Sequence, residues 1–355
     1  MSDLCSKVHV TTGLFVQTRR CRHIRIAQLI AESLFFCGGN DRIQRIPTDR
    51  QLLLLGDTSA ELSSQYFGKD FMRLMRIGAI GQERPVVHID DEHYVDVSDV
   101  VEDFNEAFFA DGGLAALRAL VDDRSDRLTR FAGERIGAPI ARPHQILCIG
   151  LNYSDHAAEA GHAVPSEPVL FTKAPNTLVG PSDHVRTPRG SSKLDWEVEL
   201  GIVIGKRTSY LDSIDDAHGA IAGYVLVNDV SERGFQMERG GQWSKGKSAE
   251  TFNPAGPWLV TPDDIPDVKN LDMWLDVNNT RRQCGSTSRM VFDPFHIVHH
   301  LSQFMVLEPG DLINTGTPAG VGMGFSPPIW LQPGDVMELG ITHLGEQRQT
   351  VLPPR

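Results

Sequence analysis

At 355 residues, 41% hydrophobic and 23% charged, the chain has the composition of a soluble globular protein with room for a large core or two domains. Its net charge of −12 argues against nucleic acid or an anionic membrane as partner, but not against an anionic small molecule, because a bound metal can reverse the local field. No run of about 18 apolar residues occurs, so no membrane span is expected. The five cysteines are odd in number and lack zinc-type spacing, and Met1–Gln17 lacks the charged head and apolar core of a secretory leader; a reducing, cytoplasmic setting is therefore expected. Cys148, inside Ile146–Ile149, reads as a small buried hydrophobe.

Residues 1–71 stand apart. They hold three cysteines and an Arg-rich run from Arg19 to Arg25, with nine basic against seven acidic residues, whereas the remainder is strongly acidic. They are read as a poorly ordered extension, with a natural start at Met72 or Met75, ahead of an organelle leader or a small domain of their own. Strand patterns over Met72–Ile77, Arg84–Ile89 and His93–Val97 then form a small β unit. Residues 98–130 read as helical, with Leu114, Leu117, Leu120 and Val121 on one face. The domain boundary falls at Arg142-Pro143, giving units 72–141 and 142–355.

Gln145–Gly150 is a buried strand leading into Leu151–His162, where Ser154 or Asp155 caps a short helix that puts His156 and Glu159 on one face. Val169–Lys173 is the next strand. Then comes Asp195–Ile204, read as one strand with Trp196, Val198, Leu200, Ile202 and Ile204 on one side and Asp195, Glu197 and Glu199 on the other. Carboxylates at i and i+2 lie about 7 Å apart, and unless water or a cation intervenes they repel. A solvated acidic face competes with that reading. A helix near Ile214–Ala222 precedes strand Tyr224–Asn228, which delivers Asp229 at its end. As a third oxygen ligand beside Glu197 and Glu199, Asp229 makes a set suited to Mg²⁺ or Mn²⁺ rather than zinc.

The basic residues near 233–247 read as a surface cluster, except that Gly246 lets the backbone beside Lys247 approach a ligand. Leu271–Val277 turns through Asn278-Asn279 into a hairpin with Arg282–Cys284. Phe295–Phe304 is helical, and His296, His299 and His300 form a solvated face of it. Two similar turns, Glu308–Asp311 and Gln332–Asp335, each precede a strand. Gly320–Gly324 lacks dinucleotide-fingerprint spacing and a following helix. Strands outnumber helices and do not alternate with them, which excludes a doubly wound fold and predicts an α+β, mostly β architecture.

Taken in order, these motifs resemble the fumarylacetoacetate hydrolase family: Ile149–Tyr153 with Asp155–Glu159, Asp195–Leu200, Val227–Arg233, Gly246–Ser248 and Thr315–Pro318. Within it, Glu238–Gly241, Gly320–Gly324 and Gly345–Gln349 are similar to the bacterial 2,4-diketo-3-deoxy-sugar-acid hydrolase or ureidoglycolate lyase group. Glu250 and Asn279 depart from the family's usual Asp and Gly; Glu250 is expected to reshape the substrate end of the pocket. The resemblance implies a mixed β-sandwich roll with a small N-terminal β/α domain, a homodimer, and Mg²⁺ or Mn²⁺ on Glu197, Glu199 and Asp229. It further implies His156 oriented by Glu159 as acid/base and Lys247 as a catalytic cation. Tyr153, Gln236 and Thr317 are implied as contacts for a small oxo acid, under a lid at Ser154–Val164. The expected reaction is hydrolysis of a C–C bond in a 2,4-dioxo acid such as a 3-deoxy sugar acid. Ureidoglycolate cleavage, oxaloacetate decarboxylation and isomerisation share the site, and a non-catalytic acid-binding dimer is the contrasting class.

Overall fold

The computed structural model describes residues 72–123, 128–159, 161 and 163–355; residues 1–71 and the readings made of them lie outside this range. The largest sheet has ten strands. In spatial order they are Leu128–Arg130, His93–Asp96, Arg84–Asp90, Arg73–Ile77, Leu259–Val260, Ile221–Asn228, Val198–Ile204, Leu312–Asn314, Ile146–Gly150 and Val169–Lys173. All neighbours are antiparallel except Leu312–Asn314 with Ile146–Gly150. A second sheet orders Thr280–Ser286, Asp272–Val277, Val336–Ile341, Gly345–Leu352 and Val185–Arg186. The mostly β, mixed architecture is as the sequence predicts.

The acidic stretch holds the centre, but not as one strand. Leu194–Asp195 pairs with Ser231–Glu232, the chain breaks at Trp196-Glu197, and Val198–Ile204 then enters the main sheet. Both faces of Val198–Ile204 are buried. Trp196, Val198, Leu200, Ile202 and Ile204 join the main core. The opposite face runs from Glu197 and Glu199 to Gly201, where a Cβ would lie 2.7 Å from Val225 Cγ1, and on to Val203 in a second apolar cluster. A central strand with apolar layers on both sides has no room for a solvated acidic face, so its carboxylates need partners inside the protein.

Elsewhere local chemistry sets the elements. Asn278 and Asn279 adopt φ of 51° and 59°, the left-handed pair that a two-residue hairpin demands. The two Pro-Gly-Asp turns are built alike: the Asp311 and Asp335 amides donate to the Glu308 and Gln332 carbonyls at 3.0 Å each. Helical structure is sparser than the sequence suggests. Residues 98–130 hold two helices, Glu106–Ala110 and Gly113–Asp123, and then a strand, because Asp111-Gly112 interrupts the apolar period. The helix expected near Ile214–Ala222 is a 3₁₀ segment, Asp215–Ala220, followed directly by strand. Cys148 is fully buried, and burial pushes its thiol up, away from reactive thiolate.

On strand Arg84–Asp90, His88 stacks at 4.3 Å on Trp258, and its Nδ1 is buried without a partner. Burial, and then the Arg73 charge, push the His88 imidazole down to about 4. The unfolded chain therefore takes up this proton first, and the neutral His88 contribution is full above pH 6.5 and lost as pH falls toward 4. Denaturant titrations of wild type and His88→Gln across that window should diverge by at most about 3 kcal/mol, with wild type losing more. Parallel curves would show that His88 titrates normally.

Candidate active site

Pairing brings the functional groups together. Val198–Ile204 runs antiparallel to both Ile221–Asn228 and Leu312–Asn314, so its start lies beside their ends. Glu197 and Glu199 thereby meet Asp229, whose amide donates to the Glu197 carbonyl at 2.9 Å, and Gly316, whose amide donates to Glu199 Oε2 at 2.8 Å. One carboxylate oxygen from each of Glu197, Glu199 and Asp229 lies within 4.8 Å of the others, and all three residues are buried.

Such a cluster would be untenable unpaired, and cations surround it. Lys247 Nζ bridges Glu197 Oε2 (2.7 Å) and Asp229 Oδ2 (3.0 Å). Lys173 Nζ donates to Asp229 Oδ1 and to the carbonyls of Phe252 (2.6 Å) and Val230 (3.3 Å). Arg233 donates through Nε to Asp195 Oδ2 (2.8 Å), through Nη2 to Glu197 Oε1 (2.6 Å) and through Nη1 to Gln236 Oε1 (2.9 Å). Burial alone would raise the Glu197 carboxyl; Lys247, Arg233 and His156 outweigh it and bring it down to about 2. Glu199 goes the other way. Burial and the neighbouring Asp229 and Glu197 charges push it well above the carboxylate range, and among the described residues no lysine or arginine pairs with it.

That imbalance is the test of fit for a metal. The four carboxyl groups Asp195, Glu197, Glu199 and Asp229 face three cations, Lys173, Lys247 and Arg233, so that Glu199 is the one left without a lysine or arginine among the described residues and is driven toward its protonated form. A divalent cation would satisfy Glu199 and turn the site net positive, fit to attract an anionic substrate. An all-oxygen donor set suits a hard ion such as Mg²⁺ or Mn²⁺.

The cavity beside the cluster is lined by Glu197, Glu199, Arg233, Gln236, Lys247, Gly316, Thr317 and His156, together with apolar side chains, among them Phe171, whose ring lies 5.2 Å from Lys247 Nζ. His156 sits on helix Ser154–Glu159, and its Nδ1 lies 3.1 Å from Glu159 Oε2. Glu159 Oε1 accepts from the Gly320 amide at 2.9 Å. If Glu159 is ionised and the imidazole neutral, Glu159 accepts from Nδ1–H and Nε2 is left with its lone pair. Gly320–Met323 is the hub here: the Gly320 carbonyl accepts from Trp196 Nε1 (3.0 Å), and the Gly322 and Met323 amides donate to Asp195 (2.6 and 3.1 Å). The glycine run thus ties the His156–Glu159 pair to the carboxylate cradle.

Several sequence-predicted residues sit differently from expectation. Tyr153 is in the core, its hydroxyl 3.2 Å from Met273 Sδ, and does not line the cavity. Thr317 lines it, but its hydroxyl donates to the Val198 carbonyl and accepts from Gln283 Nε2. Arg233 and Lys247 are buried rather than part of a surface cluster, and Gly246 makes room for the Glu232 carbonyl and Gln236 rather than for a ligand. Glu250 pairs with Arg186 and Arg355 and lies off the cavity. Lys173, Arg233 and Asp195 escaped notice as site residues. Lys173 is the last residue of an apolar strand, and a lysine there reads as a strand end facing water.

The fumarylacetoacetate hydrolase C-terminal family model matches residues 145–352. The chain belongs to this family. A Burkholderia multivorans member named only as an unproven hydrolase is 50% identical over 282 residues, covering 78% of this chain and 98% of its own. Among solved structures, a 2-hydroxyhepta-2,4-diene-1,7-dioate isomerase from Mycobacterium marinum superposes with a TM-score of 0.63 at 31% identity, over 79% of this chain and 98% of its own. Maleylpyruvate hydrolase from Sphingobium sp. SYK-6, in complex with manganese(II) and pyruvate, gives 0.66 at 28% identity, over 80% and 100%. Hydrolase and isomerase chemistries both occur among these fumarylacetoacetate hydrolase relatives, and one of them carries a divalent metal.

Removing Lys173 should expose how far the cradle depends on its cations. Lys173→Met leaves Asp229 with Lys247 alone and takes a donor from the Val230 and Phe252 carbonyls, of which Phe252 keeps the Val230 amide, and urea unfolding in EDTA should show a loss of about 3–5 kcal/mol. A loss below about 1 kcal/mol would mean that Asp229 does not need this partner.

Proposed function

We propose that the protein is a divalent-metal-dependent hydrolase that cleaves the C3–C4 bond of a 2,4-dioxo acid to give pyruvate and a second carboxylic acid. The observation that carries this reading is a base with a free nitrogen, His156 held by Glu159, on the same cavity as the Glu197, Glu199 and Asp229 oxygens. The manganese and pyruvate in the Sphingobium maleylpyruvate hydrolase support it. Within the class, the group beyond C4 is either polyhydroxylated, as in a 3-deoxy sugar acid, or hydrocarbon.

Mg²⁺ or Mn²⁺ on Glu197, Glu199 and Asp229 would supply a Lewis acid for the substrate's carboxylate and 2-oxo oxygens. Gln236, its carbonyl fixed by Arg233, presents its amide nitrogen to a substrate oxygen. Lys247 and Arg233 keep Glu197 ionised and add positive charge where the 2-oxo oxygen becomes negative. His156 Nε2 takes a proton from water as that water's oxygen bonds to C4. Glu159 stabilises the resulting imidazolium through Nδ1–H. The C3–C4 bond breaks, its electron pair goes to C3, and C3 takes up the proton that His156 removed from water, which restores the neutral imidazole; the C4 fragment leaves as a carboxylic acid.

His156→Ala should lower pyruvate release by about 10²–10⁴-fold, while the rise in melting temperature on adding Mn²⁺ stays as in wild type. EDTA should abolish turnover and Mn²⁺ restore it. Full turnover by His156→Ala would remove the acid/base assignment. The isomerase neighbour supports a second reading on the same site; its signature would be a metal-dependent change in the substrate's absorbance with no pyruvate released.

A further inference from the structure

The base and the oxygen cluster sit on different segments of the chain, and one buried side chain joins them. Asn152 precedes the helix that carries His156 and is fully buried. Both of its amide hydrogens are in use. Nδ2 donates to the Thr315 carbonyl at 2.7 Å and to the Phe292 carbonyl at 3.0 Å, and Oδ1 accepts from the Phe292 amide at 2.9 Å.

The bond to Thr315 reaches the cluster. The Thr315 carbonyl and the Gly316 N–H belong to one planar peptide unit. Asn152 holds that unit by its oxygen, and Glu199 Oε2 holds it by its nitrogen at 2.8 Å. Gly316 packs so closely here that a Cβ would stand 2.8 Å from Asn152 Cβ. The peptide therefore cannot shift without moving the amide that holds Glu199.

The bonds to Phe292 reach the base. Residues 152–155 run antiparallel along residues 289–292. The Val291 amide donates to the Asn152 carbonyl at 2.7 Å, Tyr153 bridges Met290, and Arg289 Nη1 donates to Asp155 Oδ2 at 3.2 Å. The Tyr153 carbonyl then accepts from the Ala157 amide at 2.9 Å, which starts the helix Ser154–Glu159. Leu151 enters this seat at φ 55°, in the left-handed region that a leucine seldom adopts, and the bonds of Asn152 fix the turn.

We infer that Asn152 is a positioning residue for the reaction: its carboxamide sets the helix bearing His156, seated on residues 289–292, against the peptide that holds Glu199. Asn152 is not among the residues that line the cavity, so it acts through the groups it holds. The kinetic part of the inference rests on the hydrolase reading; the link between helix and cluster does not.

The test measures kcat and KM for pyruvate release from 2,4-dioxopentanoate at saturating Mn²⁺, and the rise in melting temperature that Mn²⁺ produces. Asn152→Ala should lower kcat by about 100-fold, the scale of a misplacement of about 1 Å, with KM within about threefold. Its Mn²⁺ rise should fall to about half that of wild type or less, because the peptide that fixes Glu199 is released. Ser302→Ala controls for lost stability alone. Its buried hydroxyl donates to the His299 carbonyl away from the cavity, and the variant should keep kcat and the full Mn²⁺ rise. Arg289→Ala, at a side chain 59% exposed, removes the outer end of the seat without threat to the fold. It should lower kcat about two- to fivefold, a gap that closes in about 0.5 M NaCl.

A folded Asn152→Ala with kcat within about threefold of wild type overturns the inference. So does a fall in kcat that Ser302→Ala matches at an equal loss of melting temperature. If Asn152→Ala yields no folded protein, Arg289→Ala decides: a salt-dependent fall in kcat supports the seat, and an unchanged kcat overturns it. Wild type that releases no pyruvate removes the hydrolase reading instead, and the Mn²⁺ rise of Asn152→Ala then decides the inference by itself.

Discussion

The structure depends on an uneven balance of buried charge. Four carboxylates converge where three strands meet, and three long cationic side chains reach them from elsewhere in the chain. Burying either set alone would cost several kcal/mol per ion. Together they hold the break at Trp196-Glu197, the turn after Asn228 and the helix carrying Arg233 in one geometry. The match is one cation short, and the shortfall sits on Glu199. The Glu197, Glu199 and Asp229 oxygens lie close enough together that a divalent ion could be held there.

Around this balance, the division of labour is legible. Lys173, Lys247 and Arg233 are occupied in holding the carboxylates. His156 Nε2 and the Gln236 amide nitrogen line the same cavity and are not used in the bonds that hold the cradle. The apolar wall contributes shape and excludes water. The oxygen cluster, the His156–Glu159 pair and the apolar lining are separate parts of one cavity.

The sequence made the ligand set readable because period 2 puts Glu197 and Glu199 on one face and a strand end presents Asp229. The Asn278-Asn279 hairpin and the two Pro-Gly-Asp turns were readable for the same reason: local backbone demands are written in local residues. What escaped was non-local. Nothing near Lys173 announces that its ammonium meets Asp229, 56 residues away. Nor does the spacing of Asp195 and Arg233 reveal that they are partners. Tyr153 lies in a motif that resemblance assigns to the site, yet its side chain turns into the core. Motif membership locates a backbone, and packing decides where each side chain goes.

Gly320–Gly324 meets Asp195 and Glu159 through backbone amides alone, yet it carries mechanical weight. A Cβ on Gly320 would stand 2.0 Å from the Arg282 carbonyl, and one on Gly324 2.2 Å from Glu159 Cδ. The segment is a keystone between two arches, one bearing the base and the other the cradle. Substitution at these glycines is therefore constrained by space although they bring no side chain to the site. A side chain added at Gly322 would press on Asp195 and one added at Gly324 on Glu159, so that either change reaches the site through one of the two arches.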